Sequence, residues 1–274
     1  MITPILNRVL PSFLLQTTSF EKHIQCAEPS LNDDCKSETC YAVIEKDDLD
    51  ELYKKCKRNA VTIHSACQTA GNIAMCEMIK EAAAKQNGNI ISTVHDEEDL
   101  VMVAPSCKRR LPEQSSDREN YVMNGVYFIR EKIRVSDWTD VNCFWELTQD
   151  VQSYNHGNMT KALRETYLAQ KVFNWCLSDP VAFHRHFRRE KRTLLHGYTN
   201  HGNCNYLNRD PDHGIKVCGL IAGGNMAYFT GVAQHMITTV DNRLFWNVVY
   251  PANLTDKTTM SRYLQRCIAI LKHI

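Results

Sequence analysis

Helical and extended patterns follow one another along this chain of 274 residues in an order that few folds can accommodate. Two helical patterns come first, then two apolar runs of strand length, then two more helices. The last third consists of apolar, β-branched or aromatic runs separated by Asn, Asp and Gly, and one amphipathic helix closes the chain. Helices interleaved with strands bury their apolar faces as helix layers on a sheet. The sequence therefore predicts a mixed-sheet two-layer α/β domain.

Each element is predicted from its hydrophobic period and its flanking turn residues. The first helix, over 47–58, has Leu49, Leu52, Tyr53 and Cys56 on one face, and a helix rich in small residues follows over 61–80. Strands are predicted over 100–104 and 121–133, helices over 138–154 and 160–176, and strands over 193–200, 215–222, 226–240 and 244–250. Asp241-Asn242 is predicted to be a hairpin turn. The closing helix, 256–272, presents Met260, Tyr263, Leu264, Cys267, Ile270 and Leu271 on one face.

Residues 1–40 contain several turn formers and no sustained period, so they are predicted to be a connector to a domain over 41–274. Lys and Arg number 32 against 31 Asp and Glu, and a formal charge of +1 argues against nucleic acid as a partner. The basic cluster over 185–192 is interpreted as a solvated face. No apolar run approaches the roughly 20 residues of a membrane span, so a cytoplasmic protein is predicted.

Twelve cysteines suggest a metal or a thiol site, but their spacing does not support either. Zinc ligand pairs usually lie two to four residues apart, and the nearest pair here, Cys35 and Cys40, falls outside that spacing. No C-x-x-C pair occurs. We therefore expect reduced and mostly buried thiols, with no metal site.

Several motifs together resemble the C-terminal half of the condensation-domain-like, coenzyme-A-dependent acyltransferases. The segment from Leu52 to Ala66 resembles a helix pair of that family, and Met102 to Pro112 resembles its next strand, which leads to an Arg and a Leu. Tyr198 to Asn203 resembles the Ser/Thr-Asn-x-Gly loop, and Val240 to Tyr250 resembles the penultimate hairpin. The ordered set covers about residues 40–274.

The resemblance implies a fold like one half of chloramphenicol acetyltransferase and acyl transfer from a coenzyme A thioester to a hydroxyl or amine. Acyl-CoA is then a substrate, and no bound cofactor is expected. Asn200 and Gly202 match the loop that lines the family's substrate tunnel, although an ordinary β-turn explains them equally well. Arg109 matches a structural arginine, which we interpret as one side of a charge pair. No catalytic residue is assigned.

The family's His-His-x-x-x-Asp-Gly motif, which supplies the general base by resemblance, is absent from the sequence. We therefore expect an incomplete enzyme that depends on an N-terminal half-domain as partner, or that associates with itself. The alternative is a non-catalytic binding or scaffolding domain that retains the acyltransferase fold.

Overall fold

The computed structural model describes residues 36–87, 100–107, 126–133, 141–157, 194–208, 216–224, 231–252 and 255–274. Side chains within 83–87, 100–107, 126–133, 194–196 and 231 are outside this description. The predictions for residues 1–35, for a helix over 160–176, for the basic cluster and for Arg109 also lie outside the described residues.

Apart from β1, which the sequence analysis did not predict, the described helices and strands follow the predicted order. They are β1 (Ser37–Ile44), α1 (Lys46–Arg58), α2 (Ile63–Asn87), β2 (Leu100–Cys107), β3 (Val126–Ile133), α3 (Val141–Gly157), β4 (Leu194–Asn203), a 3₁₀ turn (Asn205–Asn208), β5 (Gly231–Val240), β6 (Arg243–Pro251) and α4 (Lys257–His273). β1 crosses the connector boundary predicted at residue 41. The division into connector and domain stays a prediction.

The strands form one mixed sheet of six strands in the order β1-β6-β5-β4-β2-β3. β6 is antiparallel to β1 and β5, and β3 is antiparallel to β2. β4 is parallel to β2 on one side and to β5 on the other. The carboxyl ends of β4 and β5 therefore lie side by side at one edge of the sheet.

Helices α1, α2 and α4 cover one face of this sheet and enclose the main core. The predicted apolar face of α4 is confirmed: its six residues Met260, Tyr263, Leu264, Cys267, Ile270 and Leu271 are all buried. In α1, Leu49, Leu52 and Cys56 are buried, whereas Tyr53 is 38% exposed. The predicted two-layer α/β domain is thus confirmed.

Small residues allow α2 to lie deep in this layer. Ala66, Ala70 and Ala74 have no exposed surface, and neither do the polar residues Gln68 and Asn72 of the same helix. Gln68 Oε1 accepts a hydrogen bond of 3.0 Å from Asn155 in α3, which packs against the other side of α2. This bond satisfies a polar group of Gln68 that bulk water cannot reach.

The hairpin predicted at Asp241-Asn242 is confirmed by its backbone geometry. The φ angles of Asp241 and Asn242 are 50° and 56°, as a two-residue turn with two left-handed positions requires. Asn205 and Asn242 then hold this turn to the end of β4. Asn205 Nδ2 donates to Asn242 Oδ1 at 2.9 Å, and Asn242 N donates to Asn205 Oδ1 at 3.2 Å.

The strand predicted over 215–222 is wrong for the described part of that segment, because residues 216–224 adopt no regular structure. In this segment the backbone groups form hydrogen bonds with side chains instead of with a neighbouring strand. Asn208 forms two hydrogen bonds with the backbone of Val217, Arg243 donates to the Cys218 carbonyl, and Asn247 donates to that of Ala222. A run of apolar residues fits an irregular segment lying on a sheet as well as it fits a strand.

We expect Asp256→Ala to destabilise the domain by about 1 kcal/mol, because Asp256 caps α4. Its Oδ1 accepts from Thr259 N at 2.7 Å and its Oδ2 accepts from Thr259 Oγ1 at 3.1 Å. The hydrogen bond from the Thr259 backbone is the main cause that lowers the pKa of Asp256 below the ordinary 3.8. The stabilisation by the ionised Asp256 is therefore complete above the pKa that Asp256 has in the unfolded chain. It is lost as the pH falls through the lower pKa that Asp256 has in the folded chain.

Urea unfolding of Asp256→Ala and Asp256→Asn at pH 7 and pH 3 checks this expectation. Asn keeps the capping acceptor, so it is expected to retain stability at pH 7 while losing the pH-dependent part. Equal stability of Asp256→Ala and the unmodified chain at pH 7 would contradict the capping role.

Candidate functional site

Strand β4 has a bulge near its carboxyl end, where it runs beside β5. Asn200 and Gly202, the two residues predicted to line a tunnel, lie in this bulge. Asn200 pairs with Ile237 and Gly202 pairs with Thr238, so His201 between them has no partner residue across the strand pair. A bulge of this kind bends the strand and redirects a side chain. Asn200 and Gly202 are half-buried, whereas His201 is exposed.

The bulge is fixed by a local hydrogen bond and by the glycine. Asn200 Oδ1 accepts from Gly202 N at 2.7 Å, and the φ angle of Gly202 is +80°, in the region that favours glycine. No described atom lies within 4 Å of the position that a Gly202 Cβ would take. The structure thus brings the two predicted residues together and gives Asn200 a role in holding the backbone, while no described residue fills the space beside Gly202.

His201 was not singled out by the sequence, because an exposed histidine between Asn and Gly is an ordinary turn residue. Partial burial lowers the pKa of His201 below its ordinary value of 6.5. The neutral imidazole is therefore the dominant form at pH 7, with one nitrogen able to accept a proton.

Next to the bulge, Gln234 of β5 lies across β4. Its Nε2 donates to Thr199 Oγ1 at 2.9 Å, and a Cβ on Gly197 would lie 2.0 Å from its Oε1. Gly197 is therefore the residue that makes room for Gln234. Thr199 and Gln234 thus place a hydroxyl and an amide group before the bulge, and the imidazole of His201 follows them nearer the carboxyl end of β4.

His235 follows Gln234 in β5, so it lies on the opposite face of the sheet. The buried His235 is the centre of a directional hydrogen-bond chain. Trp246 Nε1, which can only donate, lies 2.9 Å from His235 Nδ1, so Nδ1 accepts. The neutral ring therefore carries its proton on Nε2, which lies 3.1 Å from Tyr263 Oη. Tyr263 in turn donates to the Gly71 carbonyl at 3.1 Å. This chain connects β6, β5, α4 and α2.

Tyr198 of β4 completes this buried cluster. Its ring stacks on His235 with centroids 4.1 Å apart and an angle of 13° between the planes. Tyr198, His235, Trp246 and Tyr263 have no exposed surface. Because both ring nitrogens of His235 are engaged in the core, we assign it to the stability of the sheet–helix layer and not to chemistry on a ligand.

The sequence contained a signal for the burial of His235. In the run from Ala233 to Ile237, strand alternation places His235 on the same face as two apolar residues. Both Ala233 and Ile237 are buried. A histidine on an apolar strand face indicates a core residue with internal hydrogen-bond partners.

The prediction of mostly buried thiols is confirmed for the described cysteines. Cys40, Cys56, Cys67, Cys204 and Cys267 are buried, and the eight cysteines whose side chains the structure describes form no disulfide. Burial raises the pKa of Cys56 to about 11 and also raises that of Cys67 and Cys267. Protonated thiols are poor nucleophiles and poor metal ligands. Among the described residues, no group of three or more His, Cys, Asp or Glu side chains is arranged to hold a metal ion.

Comparison with known proteins places this arrangement in a structural class. No protein-family model and no curated protein matches the sequence. Among solved structures, the trichothecene 15-O-acetyltransferase TRI3 of Fusarium sporotrichioides is similar, with a TM-score of 0.63 and 13% identity over 93% of this chain and 50% of that one. The acyltransferase PapA2 is similar with a TM-score of 0.57 and 9% identity over 92% of this chain and 47% of that one.

A third similar structure is the condensation domain of the monacolin K polyketide synthase MokA. Its TM-score is 0.55, with 10% identity over 99% of this chain and 58% of that one. This chain has the fold of one half of a condensation-domain-like acyltransferase. It spans about half the length of the solved structures that it matches. Within the described residues, no helix has both the length and the apolar character to cross a membrane.

Proposed function

We propose that this domain takes part in acyl transfer from a coenzyme A thioester to a hydroxyl or amine, as one wall of the substrate channel. The observation that carries the proposal is the fold. Almost the whole chain superimposes on half of an acetyltransferase and of an acyltransferase. A domain that corresponds to half of such an enzyme would work together with a second half-domain.

The bulge in β4 supports the location of the channel wall. No described residue fills the space beside Gly202, and the lack of a side chain there lets another molecule approach the backbone closely. Asn200 contributes by fixing this shape, since its Oδ1 is bound to Gly202 N. Its amide nitrogen is the group that we propose to face a thioester or a developing oxyanion.

A non-catalytic binding or scaffolding domain is the second candidate function. It is favoured by the absence of the His-His-x-x-x-Asp-Gly motif from the sequence and by the use of His235 in the core. A domain of this kind would retain the channel wall for an acyl or protein ligand without turnover. Binding measurements therefore test what both candidates have in common, and turnover separates them.

Calorimetric titration of the purified chain with acetyl-coenzyme A is the direct test. We expect saturable binding that Asn200→Ala weakens about fivefold, the effect of losing one hydrogen bond of about 1 kcal/mol. The matched control is Asn59→Ala. Asn59 likewise forms a side-chain hydrogen bond with the backbone, which its Nδ2 donates to the Lys55 carbonyl, but it lies at the end of α1.

The Asn59→Ala variant is expected to bind acetyl-coenzyme A like the unmodified chain. If a folded chain shows no saturable binding, or if both variants weaken it equally, the channel wall in β4 is contradicted. Circular dichroism of each variant verifies that the domain is folded.

A further inference from the structure

Four buried polar residues meet where α2 packs against α3. Gln68, Thr69 and Asn72 of α2 have no exposed surface, and Asn155 of α3 is 8% exposed. Asn155 lies opposite Gln68, because its Nδ2 donates to Gln68 Oε1 at 3.0 Å. Asn72 follows Gln68 by four residues and Thr69 by three, so it is the neighbour of both on the helix surface. We call these four residues the polar seam.

Four atoms of the polar seam are left without a protein partner. Within the part of the chain that the structure describes, no group forms a hydrogen bond with Asn72 Oδ1, Asn72 Nδ2, Thr69 Oγ1 or Asn155 Oδ1, and all four atoms are buried. Leaving a buried polar atom unpaired costs more stability than an ordinary hydrogen bond contributes, so native cores rarely retain one. The polar seam therefore needs a ligand that both donates and accepts hydrogen bonds.

Polar contacts continue from the polar seam to the protein surface. In α3, Gln152 Oε1 accepts from Thr62 N at 2.7 Å, and its Nε2 donates to the Ala60 carbonyl at 2.9 Å. Gln149, which is exposed, donates to the Asn59 carbonyl at 3.0 Å. Buried spaces that stay dry are lined by apolar groups, whereas those lined by polar groups hold water. The character of this helix contact therefore favours hydration.

We propose that the polar seam is a binding site for ordered water, which bridges α2 and α3. A buried water molecule typically forms about three hydrogen bonds with groups that would otherwise be unpaired. Its hydrogens can be donated to Asn72 Oδ1 and Asn155 Oδ1, and its oxygen can accept from Asn72 Nδ2 or from the Thr69 hydroxyl. The unpaired donors and acceptors thus match those of water. The site is independent of the acyl transfer proposed above, because no residue of the β4 bulge takes part in it.

Magnetic relaxation dispersion of water in a solution of the full chain tests this site, because it detects waters that stay bound far longer than surface waters. We expect Asn72→Leu to remove at least one long-lived water, since leucine is close to asparagine in size but forms no hydrogen bond. The same substitution is expected to lower the melting temperature by about 4 °C, because the bridge between the helices is lost. In a dry seam it would instead raise the melting temperature, because unpaired polar atoms would leave the core.

Thr148→Val is the matched control. The Thr148 hydroxyl is also buried at α3, but it donates to the Phe144 carbonyl of its own helix at 2.8 Å, so its loss should leave the bound water unchanged. Thr69→Val is a second, smaller change within the polar seam, and we expect it to lower the number or the residence time of the bound waters. Equal relaxation dispersion of the unmodified chain, Asn72→Leu and Thr69→Val would overturn the proposal, as would a higher melting temperature of Asn72→Leu.

Discussion

His235→Leu is expected to destabilise the domain by about 3 kcal/mol. Leucine is close to histidine in size, but it can neither accept from Trp246 Nε1 nor donate to Tyr263 Oη. Both groups are buried, and a buried polar group left without its partner costs about 1–3 kcal/mol. Urea unfolding measures the change as a lower midpoint at an unchanged slope.

A double-mutant cycle separates the hydrogen bond from the loss of packing. Trp246→Phe removes the donor, so in the double variant His235→Leu no longer leaves an unpaired indole N–H. We expect the double variant to be about 1–2 kcal/mol more stable than the sum of the single effects predicts. Strict additivity would show that the 2.9 Å contact contributes nothing. The control His156→Leu changes an exposed histidine and should shift stability by less than about 0.5 kcal/mol.

The large loss of stability expected for His235→Leu reflects the number of helices and strands that meet at the His235 ring. The hydrogen bonds of His235 reach β6 and α4, and Tyr263 continues the chain to α2. Tyr198 adds β4 through its stacked ring. Because β4 also carries the bulge three residues later, the buried cluster fixes the strand that presents Asn200 and His201.

Hydrophobic period was sufficient to predict the described helices, and turn residues were sufficient to predict the hairpin. In α4, six apolar positions at helical spacing all point to the core, and Asp256 begins the helix as a capping residue. Asp241 and Asn242 tolerate the left-handed backbone that a tight hairpin needs. These elements depend on neighbours in the sequence, so local patterns are enough to locate them.

Features that depend on distant contacts could not be predicted in the same way. The segment 216–224 has the composition of a strand, but its hydrogen bonds go to the side chains of Asn208, Arg243 and Asn247. Similarly, the sequence Asn200-His201-Gly202 indicates a turn, whereas the register with β5 makes it a bulge within a strand. In both segments the hydrogen-bond partners elsewhere in the sheet determine the local structure, and the hydrophobic period of the sequence does not specify those partners.

Gly71→Ala is expected to destabilise the domain by about 2 kcal/mol, although helix propensity alone predicts the opposite sign. Replacing a glycine in a helix interior by alanine gains up to about 1 kcal/mol. At Gly71, however, the new Cβ would lie 1.9 Å from Tyr198 Oη and 3.0 Å from Tyr263 Oη. These hydroxyls belong to fully buried rings that cannot move without disturbing His235, and overpacking a core costs about 1–3 kcal/mol or more.

Thermal and urea unfolding of three further variants determine whether the Tyr198 hydroxyl causes this effect. Tyr198→Phe in the Gly71→Ala background removes the 1.9 Å contact but leaves Tyr198 Cζ at 2.9 Å, so only part of the stability should return. Tyr198→Phe alone gives the reference for that comparison. Gly157→Ala, at the end of α3 with no described atom within 4 Å of its Cβ, should be neutral or slightly stabilising. If Gly71→Ala were as stable as Gly157→Ala, α2 would lie further from the tyrosines than the contact at Gly71 requires, and the close packing of α2 against the sheet would be contradicted.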